Sequence, residues 1–314
     1  MAAVEIDGLT KDYLVGFWRR RPYRALDGLT LTVEAGEIFG FLGPNGAGKS
    51  TTLKLLMQLI YPTAGRAAIL GRPIGDRAMR RRIGFLPENP YFYDYLTAEE
   101  LLTYFGSLFG LRGMDLRRRV SAVLDEVGIG RERTMRLRAF SKGMIQRVGI
   151  AQAILNEPEV VFFDEPMSGL DPLGRRDVRQ AMLRLRDRGC TVFFSSHILS
   201  DAEALCSRVA ILAKGRLVAA GRLSEMVPYG ATGWEMVVAG VDDVAIRALA
   251  GAARKVTPLP DRRAAVELAP DVRPERFLAS LPPGVEVVAL NPMRATLEDY
   301  FVRTVAAPGE RAGG

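Results

Sequence analysis

The sequence predicts an α/β fold with a mainly parallel sheet, and three observations carry that prediction. A glycine-rich loop, Gly43-Pro44-Asn45-Gly46-Ala47-Gly48-Lys49-Ser50-Thr51, sits between an apolar run and a helix-like stretch. Short apolar runs then recur at 160–163, 191–194 and 209–212, with helical patterns at about 172–188 and 198–206 between them. Strands that alternate with helices in this way pack as parallel neighbours. Third, the texture changes after Gly221, where a smaller α+β unit begins.

The elements follow in order. Residues 4–33 alternate as strands and a hairpin, interrupted by Gly16-Phe17-Trp18-Arg19-Arg20-Arg21-Pro22. Ile38-Phe39-Gly40-Phe41-Leu42 is a buried strand entering the loop, and 49–59 is a helix leaving it. Pro62-Thr63-Ala64-Gly65 reads as a turn and Ile83-Gly84-Phe85-Leu86 as another strand. Residues 97–128 carry the pattern of two amphipathic helices broken near Gly110 and Gly113, inside a helical insert of about 89–155. A linker at 225–233 separates a first domain, 1–224, from a second, 234–305. The second alternates strand (234–239), helix (242–252), strand (264–268), helix (273–281), strand (285–290) and helix (296–305). The tail, 306–314, has Pro308, three glycines and too little apolar content to order itself.

A chain of 314 residues, 48% hydrophobic and 25% charged, suits two unequal globular domains. No apolar run approaches the ~18 residues of a membrane span. Met1-Ala2-Ala3-Val4-Glu5 has neither the basic nor the apolar segment of a secretory signal, so an intracellular protein is expected. Cys190 and Cys206 lack metal-binding spacing and read as buried structural thiols. The net charge of +7 is carried mostly by arginine clusters. Such a surplus suits lipid headgroups, nucleic acid or an acidic partner, but arginine outnumbers lysine along the whole chain and solvated helix faces are the favoured reading. The 16–22 segment is open in the same way, between a solvated hairpin, a contact with lipid or a membrane partner, and a contact with an anionic substrate.

The chemistry sits at the ends of the apolar runs. Gly43, Gly48, Lys49 and Ser50 fit G-x-x-x-x-G-K-[ST] without gap. In that pattern backbone N–H groups close around phosphates, the lysine reaches β- and γ-phosphate oxygens, and the hydroxyl ligates magnesium. The helix that follows points its N-terminus at the anion. Asp164 and Glu165 emerge together from 160–163; an aspartate there holds the metal, and a neighbouring carboxylate positions and deprotonates water. His197 ends the next strand, beside the acidic pair if the two strands are parallel neighbours, within reach of the γ-phosphate or the water.

With these motifs in this order, residues 4–224 closely resemble the nucleotide-binding subunit of ATP-binding cassette (ABC) transporters. Phe140-Ser141-Lys142-Gly143-Met144-Ile145-Gln146-Arg147 is similar to the family's LSGGQ signature and the Gln-Arg that follows it. The resemblance implies that Ser141 and the Gly143 N–H cap the γ-phosphate of ATP held by a second subunit. It also implies that Ser168-Gly169-Leu170-Asp171 is the dimer-contact loop, with Asp171 near the nucleotide, and that Tyr13 stacks on adenine. Lys142 and Met144 depart from the signature, and Glu88 stands where the family has glutamine; a carboxylate there can ligate magnesium with Ser50 and Asp164.

What the resemblance implies for function is an ATPase that uses ATP and magnesium. It would pair with a second nucleotide-binding subunit, a copy or a close relative, at the cytoplasmic face of the membrane. It would power a separate membrane-spanning permease, and the Ser-Lys-Gly-Met and Leu86-Pro87-Glu88 variants and the C-terminal unit resemble exporter subunits. The alternative is a soluble ABC ATPase acting on ribosomes or nucleic acid. One cassette with a short insert free of sustained heptads favours the transporter, with no nucleic-acid partner expected.

Overall fold

The computed structural model describes residues 1–16, 21–227 and 231–306. They form two compact units that part between Leu223 and Ser224. In the larger unit the strands are β1 (Ala2–Val15), β2 (Arg21–Glu34), β3 (Ile38–Leu42), β4 (Ala64–Ile69), β5 (Arg72–Pro73), β6 (Ile83–Leu86), β7 (Val160–Phe163), β8 (Thr191–Ser196), β9 (Arg208–Ala213) and β10 (Arg216–Arg222). Its helices are α1 (Lys49–Leu56), α2 (Arg77–Arg80), α3 (Ala98–Leu108), α4 (Gly113–Glu126), α5 (Lys142–Ile154), α6 (Pro172–Asp187) and α7 (Leu199–Glu203), and α8 (Leu223–Met226) spans the point where the two units part.

Two sheets make this unit. One is antiparallel in the order β2-β1-β4-β5; the other runs β10-β9-β3-β8-β7-β6, parallel except for β10 at one edge. The parallel strands are mostly apolar, as strands covered on both faces are, with polar residues at their ends: Thr191, Ser195 and Ser196 in β8 and Arg208 in β9. Phe39 and Phe41 of β3 and Phe162 of β7 surround Phe193 of β8, with ring centroids 5.3 to 5.6 Å apart. That packing locks the three central strands in register, pairing Leu42 with Ser196 and Phe163 with Phe194. The carboxyl ends of β3, β7 and β8 therefore open onto one edge, where open α/β sheets bind ligands.

The helical insert is fixed by capping and packing. Thr97 and Glu100 form a reciprocal capping box at the start of α3. Gln146 of α5 is buried and donates from Nε2 to the Pro166 carbonyl at 3.1 Å, which ties the insert to the segment after β7. Cys190 and Cys206 are both buried free thiols, as expected. Burial pushes the Cys190 thiol up to about 12, far from nucleophilic thiolate.

The smaller unit is an antiparallel sheet, β11 (Ala231–Ala239), β12 (Lys255–Leu259), β13 (Arg263–Leu268) and β14 (Glu286–Arg294), in the order β12-β13-β11-β14. With it go α9 (Asp243–Ala252), α10 (Pro274–Ala279) and α11 (Leu297–Ala306). Met236, Val238, Val266, Leu268, Leu249 and Phe277 form its core.

Several boundaries differ from the sequence reading. α1 stops at Leu56 rather than at 59, because Gln58 adopts a left-handed backbone with φ 56°. The turn read at 62–65 runs straight into β4, whose first three residues are exposed and carry no alternation. β4, β5, α2, β10 and β12 were not foreseen; β10 begins directly after the two-residue turn at Lys214-Gly215, both with positive φ. α7 ends at Glu203, three residues short of the expected 206. α8 and the start of β11 occupy much of the expected linker, and Ala306 ends α11. Residues 17–20 of the hairpin segment, 228–230 of the linker and 307–314 of the tail lie outside the described residues. Among the described residues no helix is long and apolar enough to cross a membrane.

Candidate functional site: a phosphate-loop cleft

The loop between β3 and α1 is built on glycines that no other residue could replace. Gly43 and Gly48 have φ of 154° and 106°. A Cβ at Gly43 would collide with the Leu212 carbonyl oxygen, and one at Gly48 would lie 2.6 Å from the Ala25 carbonyl oxygen. α1 starts at Lys49, so its first-turn N–H groups lack intrahelical acceptors and face the loop, an anion cradle by construction. Lys49 is only 5% exposed. Its ammonium donates to the carbonyls of Gly43 at 2.7 Å and Pro44 at 3.3 Å, and lies 3.1 Å from Glu165 Oε1.

The carboxylates behind it are as buried as the lysine. Asp164 Oδ1 accepts from the Ser50 hydroxyl at 3.1 Å and the Ser195 hydroxyl at 2.7 Å. Burial raises the Asp164 pKa, the Ser195 and Ser50 hydroxyls oppose that, and the neighbouring Glu165 charge adds to it. Glu165 has φ 50°, uncommon for a residue with a side chain; its amide donates to Ser195 Oγ at 2.9 Å. Glu165 Oε2 is 2.8 Å from His197 Nδ1, while Oε1 is buried without a hydrogen bond, held only by the Lys49 ion pair. Strained backbone of this kind concentrates at functional sites.

A cleft of about 340 Å³ opens above these groups, lined by Asn45 to Thr51, Glu88, Glu165, Tyr13, Tyr23 and Ala25. The structure thus brings together Tyr13, most of the glycine loop, Glu88 and Glu165. Asp164 lies directly beneath through Ser50, and His197 is joined through Glu165. Gly43 and Pro44 shape the loop from outside the cleft wall. Three contributors went unread in the sequence. Tyr23 needed the hairpin register across 16–22; Ala25 carries no chemical signal; Ser195 was visible only as part of the Phe193-Phe194-Ser195-Ser196 run before His197.

Ser141, Gly143 and Asp171 do not line this cleft. Ser141 caps α5, accepting from the Met144 amide at 3.3 Å, and Asp171 caps α6, accepting from the Gly174 amide at 2.7 Å. The two segments touch each other. The Gly143 Cβ position is 3.7 Å from Leu170 Cδ2, and the Lys142 side chain covers Gly169, so the departing signature residue packs on the loop at 168–171.

Fold and cleft together define a phosphate-loop nucleoside-triphosphatase. The family profile described as ABC transporter matches residues 26–168. An uncharacterized ABC transporter ATP-binding protein of Synechocystis sp. is 44% identical over 98% of this chain and 85% of its own length. The Nod factor export ATP-binding protein I of Ralstonia nicotianae is 32% identical over 96% of this chain and 92% of its own length. The dimeric structure of an ATP-binding cassette in a post-hydrolysis state with ADP and Pi superposes with a TM-score of 0.65. It is 27% identical and covers 70% of this chain and 98% of its own. The chain belongs to the ATP-binding subunits of ABC transporters, and it is an ATP-binding ATPase of that family.

Proposed function

We propose that two such subunits close head to tail around two magnesium–ATP molecules and drive a separate membrane-spanning permease in the direction of export. The observation that carries this reading is the joined network Ser50–Asp164–Ser195 and Lys49–Glu165–His197 at one sheet edge under the cleft. Signature and contact-loop residues that stay out of their own cleft supply what a facing subunit would need. The dimeric cassette structure and the relative named for Nod factor export support dimerisation and export.

The residues fit magnesium. Asp164 is a buried carboxylate held by two hydroxyls and raised in pKa chiefly by burial, and Ser50 and Glu88 add hard oxygen donors. Among the described residues no three acidic, histidine or cysteine side chains cluster as a metal cage, so phosphate oxygens and water would complete the coordination. When bound, magnesium would neutralise charge on the phosphate oxygens.

The chain's own groups divide the remaining work. Lys49 moves its ammonium from Glu165 to the transferring phosphoryl group. Glu165 then accepts a proton from the attacking water, and the His197 bond at Oε2 holds that carboxylate in place. Ser141 and the Gly143 amide close on the γ-phosphate across the dimer, Asp171 braces that contact, and Tyr13 stacks on adenine. This assembly works at the cytoplasmic face of the membrane, with no nucleic acid in the cycle.

Glu165→Gln tests the reading. Expected are unchanged ATP binding, turnover slowed more than about tenfold and a trapped dimer. That variant, purified from its native cells with gentle detergent and magnesium–ATP, should bring down a stoichiometric multi-span membrane protein. Recovery of ribosomal proteins or nucleic acid without a membrane protein would overturn it in favour of a soluble ABC ATPase.

A further inference from the structure

One buried charge stands beside the site without lining the cleft. Asp201 lies in the first turn of α7, four residues after His197, and is only 3% exposed. Its Oδ2 atom is buried and accepts no hydrogen bond. Its ion-pair partner is Arg179 of α6, whose Nη2 stands 3.9 Å from Asp201 Oδ1 and whose own Nε is likewise buried without an acceptor. Burial raises the Asp201 carboxyl, Arg175 and Arg179 oppose that, the Glu165 charge adds to it and His197 opposes it. Buried polar groups are normally satisfied, so a carboxylate and a guanidinium that face each other unbonded call for an explanation.

The elements on either side supply one. Asp171, Arg175 and Arg179 follow at four-residue steps, so they form one row along α6, from the contact loop at 168–171 to Asp201. On the other side, the segment that leads into α7 carries His197, whose Nδ1 is 2.8 Å from Glu165 Oε2. We infer that Asp201 is a positioning residue: with Arg179 and Arg175 it ties the segment carrying His197 to the helix that Asp171 caps, so that the ring holding Glu165 and the contact loop are set together. The inference rests on the proposed reading of Glu165 as the base that His197 holds. As a brace for the fold the pair is a poor one, because the groups stand too far apart to hydrogen-bond and apolar residues of similar volume often stabilise such a site as well or better. As a link its form is apt. A pair left 3.9 Å apart can close by about 1 Å into a hydrogen bond, and Arg179, partly in water, can make that shift without being stranded. Coupling between sites is carried by elements with two such arrangements.

The test measures ATP turnover, ATP affinity and melting temperature of the full chain in Asp201→Asn, Asp201→Glu, Arg179→Gln and the double variant Asp201→Asn/Arg179→Gln. Asp201→Asn keeps the shape and removes a desolvated charge, so the melting temperature should hold while kcat falls about tenfold and ATP affinity stays within about twofold. Asp201→Glu keeps the charge and adds reach towards Arg179, and should bring turnover back to within about threefold of the unaltered protein. Arg179→Gln should slow turnover about fivefold, and the double variant no further than Asp201→Asn alone, as two ends of one link would. His197 is the only histidine of the chain, so its imidazole NMR signal needs no assignment. Magnesium with a non-hydrolysable ATP analogue should move that signal in the unaltered protein and in Asp201→Glu, and much less in Asp201→Asn. Turnover unchanged in Asp201→Asn, or an imidazole response equal to that of the unaltered protein, overturns the positioning role. Losses that multiply in the double variant overturn the link to α6. Failure of the underlying reading looks different: Glu165→Gln would then turn over ATP at nearly the unaltered rate.

Discussion

Among the described residues the buried polar and charged side chains are Lys49, Thr52, Gln146, Asp164, Glu165, Thr191, Ser195, Ser196 and Asp201, and all of them lie in Met1–Leu223. The core of Ser224–Arg303 is apolar, built on Met236, Val238, Val266, Leu268, Leu249 and Phe277. Lys49, Asp164, Glu165, Ser195, Ser196 and Asp201 sit at or just past the carboxyl ends of β3, β7 and β8. An ion taken out of water costs several kcal/mol unless partners compensate. One region therefore carries electrostatic expense concentrated at a single edge, while the core of the other gains from the transfer of apolar surface. Substitutions in the first should trade stability against activity; substitutions in the second should change stability only.

The largest effect is expected at Lys49. Lys49→Ala leaves Glu165 buried with His197 as its remaining partner, and breaking such a pair costs about 3–5 kcal/mol. It should also remove tight ATP binding, because no other buried cation faces the loop among the described residues. The double variant Lys49→Ala/Glu165→Gln should regain much of the melting temperature but none of the ATP binding. A double variant as unstable as Lys49→Ala would mean that lost packing, not stranded charge, governs the site.

Next is Met236, fully buried in the second unit. Met236→Ala should cost about 2–5 kcal/mol through lost transfer energy and a cavity. Hydrogen exchange should then rise across β11, β13 and β14 while ATP turnover by the first unit stays unchanged. A fall in turnover would break the comparison, by showing that the second unit's packing reaches the cleft.

How legible each region was follows from the same physics. The parallel strands announced themselves because both their faces are covered, and the Phe39, Phe41, Phe162 and Phe193 positions need no partner outside the core. Asp164, Glu165 and His197 were readable because each interrupts or ends such a run. β4 and β12 were not, since their exposed residues leave weak alternation, with an exposed Pro258 inside β12. Tyr23 was invisible for a different reason. Its role depends on which residue of β2 faces Tyr13, and β1 and β2 shift register between Lys11 and Asp12, which no one-strand pattern reveals.

Asp164 gives a smaller effect of opposite sign. Its folded pKa is raised, chiefly by burial, so its contribution to stability is present below the unfolded value and lost as pH rises through the folded one. At neutral pH the charged carboxylate therefore weakens the fold. Asp164→Asn keeps an oxygen for the Ser50 and Ser195 hydroxyls and should raise the melting temperature of the nucleotide-free protein by a few degrees. The gain should vanish as pH falls towards about 4, the ordinary aspartate value. ATP turnover should be lost at every pH. A melting temperature that falls at neutral pH would show that Asp164 is held by compensating charge rather than against its own desolvation.

The smallest change probes whether the first region's functional groups extend beyond its cleft. Ser141 caps α5 through the Met144 amide, which by itself explains a serine there. Ser141→Ala should cost about 0.5–2 kcal/mol, whereas Ser141→Asn, an equally good cap, should leave the melting temperature unchanged. The proposed contact with a facing subunit's γ-phosphate asks for the small hydroxyl itself, and the longer amide would not reproduce it. In a Glu165→Gln background both variants should therefore lose ATP-driven dimerisation, measured by sedimentation, although only one loses stability. If Ser141→Asn dimerises as the parent does, the hydroxyl serves the helix alone, and the γ-phosphate contact falls to the Gly143 amide.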